Sequence, residues 1–306
     1  MKKNLVIGTR GSKLALWQAN YIAAKIAERY PELEVTIKRV TTTGDRILDV
    51  PLAKIGGKGL FTKELETEML AGDIDLAVHS LKDMPTELPD GLTFAAITER
   101  VHPGDALISP KYQTIDNLPQ GAKIGTSSLR RKAQLLNYRP DLEIADLRGN
   151  LDTRLKKLEN NTFDAILLAV AGLKRLGWDE HITQIIPDDI CLPAVGQGAL
   201  AIEARSNDAE VLAILDFLND DDTRRAVEAE RAFLRVVEGG CQVPVGVYGQ
   251  VEQDSLQVRA VILSVDGVRK VEDSIKGSPA EAEELGQSLA NRMLAAGGRE
   301  ILAELK

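Results

Sequence analysis

Cysteine is nearly absent from this chain of 306 residues, which holds only Cys191 and Cys241, far apart and in no CxxC pair. That excludes a disulfide framework and a thiolate metal site, so no metal is expected. Aromatic residues make up only 4%, leaving few platforms on which single-stranded bases could stack. Positive charge is in deficit, 38 Lys and Arg against 46 Asp and Glu, so a nucleic-acid partner is not expected. No apolar run approaches the roughly 20 residues of a membrane span, so no membrane association is expected. The opening MKKNLVIGTRGSK has too few apolar positions before Gly8 for a secretory leader, which points to the cytoplasm.

The cations that are present are gathered in glycine, serine and threonine loops of the first half. Arg10 follows Gly8 and Thr9, Lys54 and Lys58 bracket Gly56 and Gly57, Arg130 and Arg131 follow the turn from Gly125 to Ser128, and Arg148 precedes Gly149. Such loops let backbone N–H groups and a cation approach one anion together. The IGGKG run around Lys58 lacks the spacing of a nucleotide phosphate loop. It reads better as part of a lid over residues 41–59 that carries Arg46, Lys54 and Lys58.

Periodicity predicts strands over 4–9, 33–40 and 74–78, with helices from Ser12 to about Arg29 and over 61–70, the latter stopped by Gly72. The same alternation restarts after Gly104, with strands near 106–108, 123–125, 142–145 and 165–170 and helices from about Ser128 and Leu151. Strands alternating with helices imply mostly parallel, helix-covered sheets. The run IGTRGSKLALWQAN from Ile7 matches IGTSSLRRKAQLLN from Ile124 in its opening IGT and its closing Asn. Each copy sends a strand into a turn and then into a cationic helix start, so two similar domains with a ligand between them are expected. An apolar strand over 199–204 could rejoin the first sheet. A helix over 222–237, three alternating strands and a last helix from about Pro279 complete a small α+β domain. The expected division is 1–98 with 199–217, then 103–194, then 221–306.

Asp83, in HSLKDMPTELP, falls just past a strand end, where α/β sites collect, with Ser80 and Lys82 beside it. His79, a lone histidine ending an apolar strand, is expected to be packed and hydrogen-bonded instead of catalytic. Cys191 sits among Ile190, Leu192 and Pro193 and reads as an apolar plug. Cys241, flanked by Gly239 and Gly240, reads as a reactive or modified thiol on an accessible loop. A non-enzymatic two-domain anion receptor would share the cationic helix starts, yet has no use for the aspartate or the glycine-flanked thiol.

The segments IGTRGSKLALWQA, TTTGDRILDVPLAKIGGKGLFTKELE, AVHSLKDMPTELP, GTSSLRRKAQL, LRGNLDTRL, LPAVGQGALAIE and EGGCQVPVG, in that order, resemble the porphobilinogen deaminase (hydroxymethylbilane synthase) family. The resemblance implies an α/β enzyme with two facing domains, like type II periplasmic binding proteins, plus a small C-terminal α+β domain. It implies a monomer that joins four porphobilinogen molecules head to tail into hydroxymethylbilane, releasing ammonia, on the way to heme. By the same resemblance Cys241 carries a dipyrromethane cofactor as a thioether and Asp83 is the catalytic carboxylate. Lys82, Thr126, Ser128, Arg130, Arg131, Arg148 and Gly149 fall at cofactor-binding positions, and Arg10, Gln18, Ser80 and Arg154 at substrate-binding ones. Porphobilinogen carries an acetate and a propionate, so a growing chain accumulates carboxylates that arginine forks suit.

Overall fold

The computed structural model describes residues 2–46, 59–237 and 243–305. Lys54, Lys58 and Cys241 lie outside the described residues, and of Arg46 only the backbone is described, at the end of a helical turn, Thr43–Arg46. The chain divides into two compact units, Met1–Arg100 with Ala199–Arg224, and Val101–Gly198 with Arg225–Lys306. No helix among the described residues is long and apolar enough to cross a membrane.

The first unit is built on strands β1 (Asn4–Thr9), β2 (Glu34–Arg39), β3 (Leu76–Ser80), β4 (Leu92–Ile97) and β10 (Leu200–Arg205), in the order β2-β1-β3-β10-β4. Strand β1 pairs parallel with both β2 and β3, whereas β10 is antiparallel to both its neighbours. Helix α1 (Lys13–Arg29) buries Ala19, Ile22 and Ile26, spaced three and four apart, against Leu5, Ile7, Leu76 and Val78 of one face. Helix α2 (Lys63–Ala71) brings Leu65 and Met69 to the other face, near Ala77. It ends at Gly72, whose φ of 84° is the left-handed turn its sequence position predicts.

The second unit repeats the plan with β5 (Asp105–Ile108), β6 (Lys123–Gly125), β7 (Glu143–Ala145), β8 (Ala165–Ala169) and β9 (Gln184–Ile185), ordered β7-β6-β8-β5-β9. Strand β6 is parallel to β7 and β8, and β5 is antiparallel to β8 and β9. The sheets are therefore mixed, half parallel and half antiparallel, which corrects the expectation of mostly parallel ones. The physical reason is connectivity. The antiparallel strand of each sheet arrives from the other unit, so no crossover helix turns it parallel to its neighbour. The IGT runs occupy equivalent places, each ending the first strand of its parallel trio.

Helices α3 (Leu129–Tyr138), α4 (Leu151–Glu159) and α5 (Val170–Arg175) accompany the second sheet, and α6 (Ala209–Leu215) the first. The remainder of the second unit is an antiparallel sheet of β11 (Val245–Glu252), β12 (Ser255–Leu263) and β13 (Lys270–Gly277). Phe233 of α7 (Asp221–Val236) and Leu289 and Met293 of α8 (Ala282–Met293) fill its core against Val247, Val258 and Ile262.

Candidate active site

In the first unit the carboxyl ends of the adjacent strands β1 and β3 bring together Arg10, Ser80, Lys82 and Asp83. After β1, Ser12 caps α1, its Oγ accepting from Ala15 N at 3.3 Å, so Arg10 is delivered beside a helix amino terminus. The Arg10 guanidinium lies 4.1 Å from the centroid of the Phe61 ring, a cation–π contact that pre-orders it. After β3 the chain makes one tight turn, Leu81–Asp83, closed by Met84 N donating to Leu81 O at 3.1 Å. Leu81 and Met84 are buried, which pins the turn from below and leaves Asp83 exposed and Lys82 half-buried.

Gln18, expected on the substrate side, is only 3% exposed, and its Nε2 donates to Ser80 Oγ at 2.8 Å. Its position on the inward face of α1 makes it a brace for Ser80. His79 is packed as expected, with Nε2 3.1 Å from Glu203 Oε2.

In the second unit the carboxyl ends of β6 and β7 form the matching arrangement. Thr126 N donates to Ala145 O at 2.9 Å, Ser127 Oγ bonds both the N–H and the C=O of Leu147 at 3.1 Å, and the two loops are thereby fastened together. Ser128 caps α3, its Oγ accepting from Arg131 N. Arg148 and Gly149 lead to Asn150, whose Oδ1 caps α4 by accepting from Thr153 N at 2.9 Å. Gly149 has φ 111°, and a Cβ there would meet Thr153 side-chain atoms at 2.6 Å, so the backbone needs glycine. Arg154 Nε donates to Gly149 O at 2.9 Å, which places its guanidinium at this loop.

Arg130 and Arg131, expected at cofactor-binding positions, are engaged with a buried carboxylate. Each is 5% exposed and directed at Asp105, which is 0% exposed: Arg130 Nη1 lies 2.7 Å from Oδ2, and Arg131 Nη2 and Nε lie 2.7 and 3.1 Å from Oδ1. They also donate to the carbonyls of Leu192 and Leu167. The reason is their place on the first turn of α3, which faces the sheet where β5 begins. Two guanidiniums on one carboxylate leave an excess of one positive charge. Burial by itself would raise the Asp105 pKa, but both guanidiniums override it and hold the carboxyl well below the usual carboxylate range. Cys191 is buried beside this group, Sγ 3.4 Å from Asp105 Oδ2, and burial and that carboxylate push its thiol up to about 12. It remains a protonated, inert plug at neutral pH.

Sequence reasoning missed Asp105, Phe61, Gln197 and Glu230. Gln197 Nε2 donates to Asp105 Oδ1 at 2.9 Å, and Glu230 accepts from the N–H groups of Gly196 and Gly249 at 2.7 and 2.8 Å. Only the glycine-rich LPAVGQGAL run hinted at this bonding, because the partners lie far apart along the chain.

Two family models cover most of the chain. "Porphobilinogen deaminase, dipyromethane cofactor binding domain" matches residues 5–213, and "Porphobilinogen deaminase, C-terminal domain" matches 224–295, a stretch whose end carried no motif. The chain is 56% identical to the porphobilinogen deaminase of Geobacter sulfurreducens over 98% of its own length and 94% of the relative's. It is 50% identical to that of Desulforamulus reducens, covering 100% and 99%. Among solved structures it is similar to the methionine binding protein MetQ, with a TM-score of 0.46, 15% identity, and 82% and 99% of the two chains covered. Consecutive family models, together with half or more of all residues shared along nearly its whole length, establish that the chain belongs to the porphobilinogen deaminase family.

Proposed function

We propose that this transferase, a hydroxymethylbilane synthase with a dipyrromethane cofactor, uses Asp83 as its catalytic carboxylate and Cys241 as the attachment point of the cofactor. Its reaction condenses porphobilinogen units head to tail with release of ammonia, in tetrapyrrole biosynthesis. The observation that carries the assignment of Asp83 is its exposure on a turn pinned by buried Leu81 and Met84, beside Lys82 and Ser80.

A group bearing acetate and propionate side chains fits the donors of the second unit. Thr126, Ser128, Arg148 and Gly149 offer hydroxyl, N–H and cationic donors at helix amino termini. Arg130 and Arg131 contribute the surplus positive charge they hold around Asp105. When bound, the cofactor supplies the primer pyrrole to which substrate is joined. Cys241 lies outside the described residues, and its glycine-flanked sequence supports its role.

Arg10 and Arg154 hold substrate carboxylates, with Ser80 as a further donor and Gln18 fixing that hydroxyl. From sequence alone, Lys54, Lys58 and Arg46 are taken as the lid cations. Asp83 accepts hydrogen bonds from the pyrrole N–H, stabilises the cationic azafulvene left on the substrate when ammonia departs, and takes up the proton released after carbon–carbon bond formation. Each such charge-assisted bond contributes about 1.5–3 kcal/mol when well formed. The same reading takes the chain as a cytoplasmic monomer that acts on porphobilinogen without nucleic acid, organised as three domains over 1–98 with 199–217, 103–194 and 221–306.

Asp83→Asn keeps the size and most hydrogen bonding of the side chain but removes its charge and basicity. Turnover in a steady-state assay should fall by roughly 10² to 10⁴-fold with thermal stability unchanged. Near-normal turnover would remove Asp83 from the mechanism.

A further inference from the structure

Under the strand that delivers Ser80 and Asp83 lie three buried ionisable groups that the chemistry above does not use. Glu66 of α2 is 7% exposed, Glu203 of β10 is 0% and His79 of β3 is 7%. Strand register pairs Ala201 with His79 and Glu203 with Ala77, so His79 and Glu203 project from the same face of the sheet, the face α2 covers. His79 Nε2 meets Glu203 Oε2 at 3.1 Å. The second carboxylate oxygens, Glu66 Oε1 and Glu203 Oε1, are buried and have no hydrogen-bond partner among the described residues.

Helix α2 packs on β1, β3 and β10. Among the described residues, the ionisable groups that face Glu66 are Glu203 from β10, His79 from β3 and Glu64 from its own helix, while β1 (Asn4–Thr9) carries none. An ionised Glu66 would bury a negative charge beside Glu203, a large desolvation penalty. Burial raises the pKa of Glu66, the Thr62 hydroxyl opposes that rise, and the proximity of Glu203 adds to it.

We propose that Glu66 stays a neutral acid, buried with the hydrogen-bonded His79 and Glu203, and that this group positions the end of β3 bearing Ser80 and Asp83. The strand end is then clamped on both faces, by Gln18 on Ser80 from the α1 side and by Glu203 on His79 from the α2 side. Glu66, Glu203 and His79 are positioning residues, acting on the reaction only through Ser80 and Asp83. Ionisation of Glu66 at high pH places unbalanced charge beneath β3 and loosens the clamp.

The test uses the full-length enzyme with Glu66→Gln, which mimics the neutral acid and cannot ionise. Because the folded pKa is raised, wild-type stability is complete below the ordinary glutamate value and falls as pH rises through the folded one. The variant lacks that loss, so its Tm should exceed wild type by an amount that grows with pH, by roughly 2–4 °C. The alkaline limb of kcat should move to higher pH in the variant, with KM little changed, which a purely structural role would not produce. Should Glu66→Gln fail to fold, Glu203→Gln serves instead, since removing the neighbouring charge must weaken the pH dependence of Tm. Parallel Tm–pH curves for wild type and variant overturn the proposal. The kinetic arm rests on the assignment of Asp83, whereas the stability arm does not. A Tm gap without a kinetic shift therefore refutes the positioning role while leaving Glu66 a neutral buried acid.

Discussion

Asp105 shows how one buried side chain sets the charge of its surroundings. It balances one of the two guanidiniums of Arg130 and Arg131 and also receives Gln197, so removal of its charge strands two buried cations. Asp105→Asn should destabilise the protein by about 3–5 kcal/mol near neutral pH, measured by urea denaturation. Its carboxyl is held well below the ordinary value by those guanidiniums, against the opposing effect of burial. The stabilisation is therefore present above the ordinary carboxylate pKa of about 3.9 and is lost as pH falls below it. The gap between wild type and variant should close only under acid conditions; a gap unchanged down to about pH 3 would contradict the charge-based account. None of this was legible in the sequence. The arginines stood out beside their glycine turn, but the aspartate that neutralises one of them lies 25 and 26 residues away and Gln197 a further 92 from Asp105.

At the scale of elements, the features that position the site are short-range, which is why they could be read from sequence. Ser12 and Ser128 follow their strands by a fixed few residues and cap α1 and α3; Gly72 stops α2; the turn at Asp83 lies between a strand and a proline. Gly149 belongs to the same class, because its φ of 111° and its closeness to Thr153 follow from the loop that Asn150 caps. Gly149→Ala should cost about 1–3 kcal/mol by thermal or urea unfolding, since alanine adds backbone strain at positive φ and a clash. Substitution without loss would mean that this loop is not fixed as described. Strand direction, by contrast, is invisible in apolar alternation. Both β5 and β10 were recognised as apolar strands, yet their antiparallel pairing depends on where the chain returns from. His79 with Glu203, 124 positions apart, was beyond reach for the same reason.

At the scale of the whole molecule, an acidic chain collects cations at the carboxyl edges of two sheets of equal topology. Local loop chemistry made that distribution readable, and it fits a ligand whose carboxylates multiply as it lengthens. The third sheet, which lies within the stretch 224–295 that matches the C-terminal domain of the family, follows in sequence on the segment that contains Cys241. The central claim is that the product grows on a pyrrole primer held by that thiol. Intact-mass measurement of purified wild-type protein and of Cys241→Ala tests it most directly. The account predicts an excess equal to two linked pyrroles on the wild type, absent from the variant, together with loss of activity in the variant; a fully active wild-type protein of unmodified mass would contradict it.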